Sequence, residues 1–173
     1  MRETYRYNNE EYIYDNGSWV TPDYIKVPTA LIPKLNKLLI VQDLAGMSDK
    51  AALDYIEKIK ASGNYMLALR ITEKAVRERS ISFLCKALSI LTSLYREAGN
   101  SQKAIQTFLY CKSRYGYRII SPMVLTSVAA AYCDLGNKID AKRYADWAYR
   151  ERYEDKDEML MHVYQRIKSM RSA

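Results

Sequence analysis

From about residue 49 onward, apolar residues recur three and four positions apart, the period of helices that bury one face. One dipeptide cuts this pattern at nearly regular distances: Ser62-Gly63-Asn64, Ala98-Gly99-Asn100 and Leu135-Gly136-Asn137 each stand between two such runs, with glycines 36 and 37 residues apart. Glycine just past a helix enters the left-handed conformation without a Cβ clash, and a polar residue after it can open the next helix. Each Gly-Asn therefore predicts the corner of a helical hairpin. The flanks repeat as well. Ile59, Tyr95 and Tyr132 stand four residues before the glycine, and Tyr55, Leu91 and Val128 eight before it. Ala68, Ala104 and Ala141 follow by five residues, and Ala75, Cys111 and Ala148 by twelve. The first group gives an apolar face to the first helix of each pair. The second gives a stripe of small residues to the second helix, so that paired helices can approach closely.

Helix starts agree with this register. Ser48 can cap a helix whose first residue, Asp49, suits the positive end of the helix dipole, and Ser121 precedes a proline at the first helical position. After the third pair, Met159, Val163, Ile167 and Met170 recur at helical spacing and predict a closing helix over 155–173.

The pattern resembles the tetratricopeptide repeat, whose consensus has a small residue at position eight, an aromatic at eleven, Gly at fifteen, Ala at twenty, an aromatic at twenty-four and Ala at twenty-seven. The second copy carries Thr92, Tyr95, Gly99, Ala104, Phe108 and Cys111, and the third Ala129, Tyr132, Gly136, Ala141, Ala145 and Ala148. The first departs from it with Ile56, Ile59 and Thr72; no copy closes with the usual proline, and the spacing exceeds the family's 34. The resemblance spans about 49–153. It implies an all-α fold, a right-handed superhelix of about three antiparallel helix pairs at 49–80, 85–116 and 122–153, ended by the capping helix.

The first 48 residues follow another rule. Tyr12-Ile13-Tyr14-Asp15 and Ser18-Trp19-Val20-Thr21 flank Asn16-Gly17, a dipeptide favoured in tight hairpins, so a tyrosine-rich arm over 1–29 is expected to hold a small β-hairpin. A two-stranded ribbon is marginal alone, so its rings are expected to pack on the first repeat or to offer an aromatic contact surface. Leu31, Ile32, Leu35, Leu38, Leu39 and Gln42 then describe an amphipathic helix over 30–46, closed by Gly46, that serves as an N-terminal capping helix or as half of a degenerate repeat.

Charge sharpens the picture. The chain carries a formal +7, and residues 49–120 hold 13 basic against 6 acidic side chains while the flanks nearly balance. Such a field favours an acidic peptide or a nucleic acid, although lysines on helices also serve as a solvated face. Three cysteines, Cys85, Cys111 and Cys133, form no C-x-x-C pair and fit reduced thiols; with no apolar signal core and no membrane-length apolar run, a soluble cytoplasmic protein without membrane contact is expected.

Chemistry of catalysis is not written into the chain. His162 is the only histidine, placed among apolar residues of the closing helix, and no phosphate loop, dinucleotide fingerprint or nucleophile elbow occurs. The expectation is a protein that is not an enzyme and holds no metal or cofactor. In the tetratricopeptide family the first helix of each pair lines a concave groove. By that resemblance the groove would offer Lys50, Leu53, Glu57, Lys60 and Ala61 from the first repeat, Lys86, Ser89, Ser93, Arg96 and Glu97 from the second, and Met123, Thr126, Ala130, Cys133 and Asp134 from the third. The candidate partner-binding set is Lys50, Lys60, Lys86, Ser89, Ser93, Arg96, Thr126 and Cys133, whose cations can pair with carboxylates or phosphates. Leu53-Asp54 and Glu57, then Ser89-Ile90 and Ser93, replace the Lys-Asn and Asn of the carboxylate clamp, so the resemblance does not reach chaperone-tail binding. The function expected is that of a protein-interaction adaptor or scaffold, with an acidic or amphipathic peptide of a protein partner lying in a basic groove. The alternative is RNA backbone binding through the basic residues of repeats one and two, since Tyr132–Asn137 also resembles the pentatricopeptide repeats.

Overall fold

The computed structural model describes residues 3–15, 18–39, 44, 46–151 and 158–170. Among the described residues helix dominates, at 70%, with a small antiparallel sheet near the N-terminus. The chain divides into two compact units, Met1–Glu78 and Arg79–Ala173.

In the first unit, strands β1 (Glu3–Tyr7), β2 (Glu10–Asp15) and β3 (Ser18–Val20) pair antiparallel in chain order. The sequence predicts only the β2–β3 ribbon; its Asn16-Gly17 turn lies outside the described residues. β1 joins through Asn8 and Asn9, both at positive φ, 51° and 66°, the geometry of a two-residue hairpin turn that asparagine tolerates better than other side chains. Register places Tyr5 opposite Tyr12 and Tyr14 opposite Trp19. The Trp19 ring meets Tyr5 edge-on at 5.2 Å and tilts against Tyr14 at 5.0 Å. Tyr5, Tyr12, Ile13 and Trp19 are buried.

Helix α1 (Ile32–Leu39) is shorter than the expected 30–46, and Gln42 lies outside the described residues. Trp19 Nε1 donates to Asn36 Oδ1 at 2.8 Å, tying α1 to the sheet. Helices α2 (Asp49–Ala61) and α3 (Tyr65–Glu78) pack together, and β1 packs on α3, where Arg70 donates to the Tyr5 hydroxyl at 3.3 Å. The rings of the arm thus pack within this unit.

The second unit holds α4 (Ile81–Glu97), α5 (Ser101–Tyr115), a 3₁₀ turn (Gly116–Ile119), α6 (Pro122–Asp134), α7 (Lys138–Arg150) and α8 (Glu158–Ser169). α4 starts four residues before the expected 85, because Ser80 caps it by accepting from the Phe83 N–H. Residues 152–157, which span the expected end of the third repeat and start of the closing helix, lie outside the described residues. α6 packs against α4, α5, α7 and α8, and every residue from Val124 to Ala131 is buried. A helix apolar all round belongs in the middle of a bundle. α8 turns Leu160, Val163 and Ile167 inward and packs on α6 and α7.

All three glycine corners are left-handed, with φ of 79°, 72° and 73° at Gly63, Gly99 and Gly136. Each glycine N–H donates to the carbonyl three residues back and each following asparagine N–H to the carbonyl five back, a Schellman closure in triplicate.

Candidate binding surface

The eight candidate residues divide between the units. Lys50 and Lys60 belong to the first, exposed and half-buried on α2. The other six belong to the second. Lys86 is exposed on α4, with half-buried Ser89 and Ser93 one and two turns further along the same helix face and half-buried Arg96 beyond them. Lys86 and Arg96 are therefore about 15 Å apart along the axis, with hydroxyls between.

Thr126 and Cys133 do not line an open surface. Thr126 is 1% exposed and donates to the Pro122 carbonyl at 2.8 Å, and Cys133 is buried on the same helix. Burial pushes the Cys133 thiol up, with Arg166 pulling weakly the other way, so it stays protonated and apolar in character. α6 is packed on all sides where the repeat pattern would leave one side open. Nearby, Thr92 Oγ1 donates to the Leu88 carbonyl at 2.9 Å and lies 3.0 Å from Ser127 Oγ, which satisfies two buried hydroxyls across α4 and α6.

Arg96 has a partner that its own segment of sequence does not announce. Its Nε donates to Asp134 Oδ2 at 2.8 Å, Ser101 Oγ donates to the same oxygen at 2.7 Å, and Arg166 donates to Oδ1 at 2.6 Å. Burial works against a charge on Asp134, but the bonds from Arg96, Ser101 and Arg166 outweigh it and hold the carboxyl below its ordinary value. One carboxylate thus joins α4, α5, α6 and α8. Two arginines against one aspartate leave the cluster with a net positive charge. The Arg96 guanidinium is held at Nε and carries further N–H donors on its terminal nitrogens.

Beyond the expected set, a second carboxylate joins α7 to α8 in a similar way. Tyr164 donates to Asp146 Oδ1 at 2.9 Å and Lys142 to Oδ2 at 2.6 Å. Lys138 Nζ also donates to the Met170 carbonyl at 2.7 Å. These contacts lie more than a helix apart in sequence, except Lys142–Asp146, whose spacing of four is legible on any helix. His162 is exposed on α8 rather than packed.

Among the described residues no group of His, Cys, Asp and Glu could hold a metal ion, and no helix is long and apolar enough to cross a membrane. No family model, curated protein or solved structure matches the chain.

Proposed function

We propose that the protein is a non-catalytic adaptor that holds an acidic peptide segment of a protein partner along α4. The observation behind this reading is the row Lys86, Ser89, Ser93 and Arg96 on one face of a single helix, ended by the net-positive Arg96–Asp134–Arg166 cluster. The Lys86-to-Arg96 reach suits about four to five residues of extended chain, with a carboxylate at each end and the serine hydroxyls meeting backbone groups between. Arg96 reaches the partner already oriented by Asp134, which reduces the side-chain entropy that binding costs. Thr126 and Cys133 contribute by packing α6, not by contact.

A displayed library of random peptides, selected against the whole chain, tests this reading. Expected are sequences enriched in Asp and Glu a few residues apart, with capture lost by Lys86→Glu at an unchanged melting temperature. Selection without acidic enrichment, or full capture by the folded Lys86→Glu variant, overturns it.

A further inference from the structure

The second unit carries another surface that the α4 row does not use. Between Glu97 and Asp134 no Asp or Glu occurs, while Lys103, Lys112, Arg114 and Arg118 do. All four cations lie on α5 or the 3₁₀ turn after it. Asp134 sits by Ser101, at the start of α5 and about 20 Å along the axis from Arg114. Glu151 accepts at 3.0 Å from Nε1 of Trp147, the ring that Lys112 also meets.

Aromatic rings alternate with these cations. Tyr110 is 59% exposed and Tyr117 80% exposed. Gly116, at φ +63°, ends α5, and the exposed Tyr117 ring beyond it forms a T-shaped pair with Trp147 at 6.5 Å. Lys112 Nζ lies 4.8 Å from the Trp147 ring centre, and Arg114 donates to the Tyr110 hydroxyl at 3.0 Å, so each cation is held beside a ring rather than beside a carboxylate. Lys112 and Arg114 also suit the negative end of the α5 dipole, but Tyr117 and Arg118 lie past the helix and gain nothing there.

We propose that this end of α5 and the 3₁₀ turn bind single-stranded nucleic acid, with bases stacking on Tyr110 and Tyr117 and phosphates meeting Lys112, Arg114 and Arg118. Single strands are held without sequence preference by this combination, a cationic track with exposed rings, because every base has a π face. An acidic peptide would satisfy the cations and leave the ring faces unused. An anionic membrane would ask for aliphatic anchors, and Leu109 is the lone exposed one on α5.

Fluorescence anisotropy with a labelled oligouridine over a salt series tests the proposal on the whole chain. Three phosphate contacts predict a slope of log affinity against log salt of about −2. Tyr117→Ala is expected to weaken binding roughly tenfold, and Tyr117→Phe to restore it, because the ring and not the hydroxyl carries the stack. The double variant Arg114→Glu, Arg118→Glu should abolish oligouridine binding. Both positions are exposed, and thermal unfolding of each variant checks that the unit stays folded. No binding at low salt overturns the proposal. So does binding indifferent to Tyr117→Ala, or tighter binding to polyglutamate or to phosphatidylserine vesicles than to oligouridine.

Discussion

The two units use the same Gly-Asn corner to different ends. In the second unit Asn100 and Asn137 turn back on their own helices, each side-chain oxygen accepting the N–H three residues ahead, from Lys103 at 3.1 Å and Asp140 at 3.0 Å. In the first unit Asn64 turns outward. Its Oδ1 accepts from the Arg6 N–H at 2.6 Å and its Nδ2 donates to the Arg6 carbonyl at 3.2 Å, so its amide lies against β1 much as a neighbouring strand would. Gly63 beside it lies under the Arg6 side chain, which a Cβ there, 2.7 Å from Arg6 Cδ, would push aside. The units also fasten their added elements by different chemistry. The first holds its sheet to the corner by a neutral amide, and the second holds α8 by the carboxylates Asp134 and Asp146. An identical dipeptide thus fixes the turn and leaves the use of its side chain to whatever packs nearby.

The largest expected effect breaks the first of these joints. Asn64→Ala leaves two strand backbone groups without partners and should destabilise the first unit by about 3 kcal/mol, read from denaturant unfolding. Protection of β1 amides from hydrogen exchange should fall with it, while α6 amides are unchanged. Next, Asp134→Ala should cost about 2 kcal/mol, because it strands Arg96 and Arg166 as well as Ser101. Smaller still, Asn100→Ala and Asn137→Ala should each cost about 1 kcal/mol, the ordinary loss of a helix cap, and equal losses at all three corners would erase the contrast between the units.

The corners were legible because glycine past a helix end is a backbone requirement that one residue type meets. The role of Asn64 was not, because it depends on a strand 58 residues earlier whose own turn, Asn8-Asn9, lacks the glycine that marks most such hairpins. The candidate residues of α4 came with the tetratricopeptide resemblance, and Lys86, Ser89 and Ser93 do share a face. That α6 would be covered by α8, removing Thr126 and Cys133 from any open groove, could not be read, since spacing shows which residues share a face and not what lies over it. Asp134 was legible as a groove position but not as the anchor of Arg96, 38 residues away.

The smallest expected effects come from pH and separate neutral from ionic fastening. Asp134 and Asp146 have lowered carboxyls, the latter through the bond from Lys142, against burial, and with help from Tyr164. Groups depressed in the folded state contribute stability that is present above the ordinary carboxylate pKa and lost as pH falls through the lowered values. Hydrogen exchange on an acid series should therefore show α8 loosening before β1. At the other end of the scale, burial and the bond to Asp146 raise Tyr164 from 10.0 to about 12. A raised phenol contributes stability that is full below pH 10 and fades as pH climbs towards 12, so α8 should loosen again in alkali and Tyr164→Phe should remove that second limb.

The burial of α6 on every side bears on the order of folding events. Arrays of helical hairpins commonly add one repeat to the next, each contacting only its neighbours. Here α6 is shared by its neighbours on both sides, α4 and α5 before it and α7 and α8 after it, so its release exposes apolar surface on all four. The second unit is therefore expected to open as a single foldon: its core amides should exchange at one shared free energy rather than in a gradient along the chain, and no hairpin within it should persist once α6 is released.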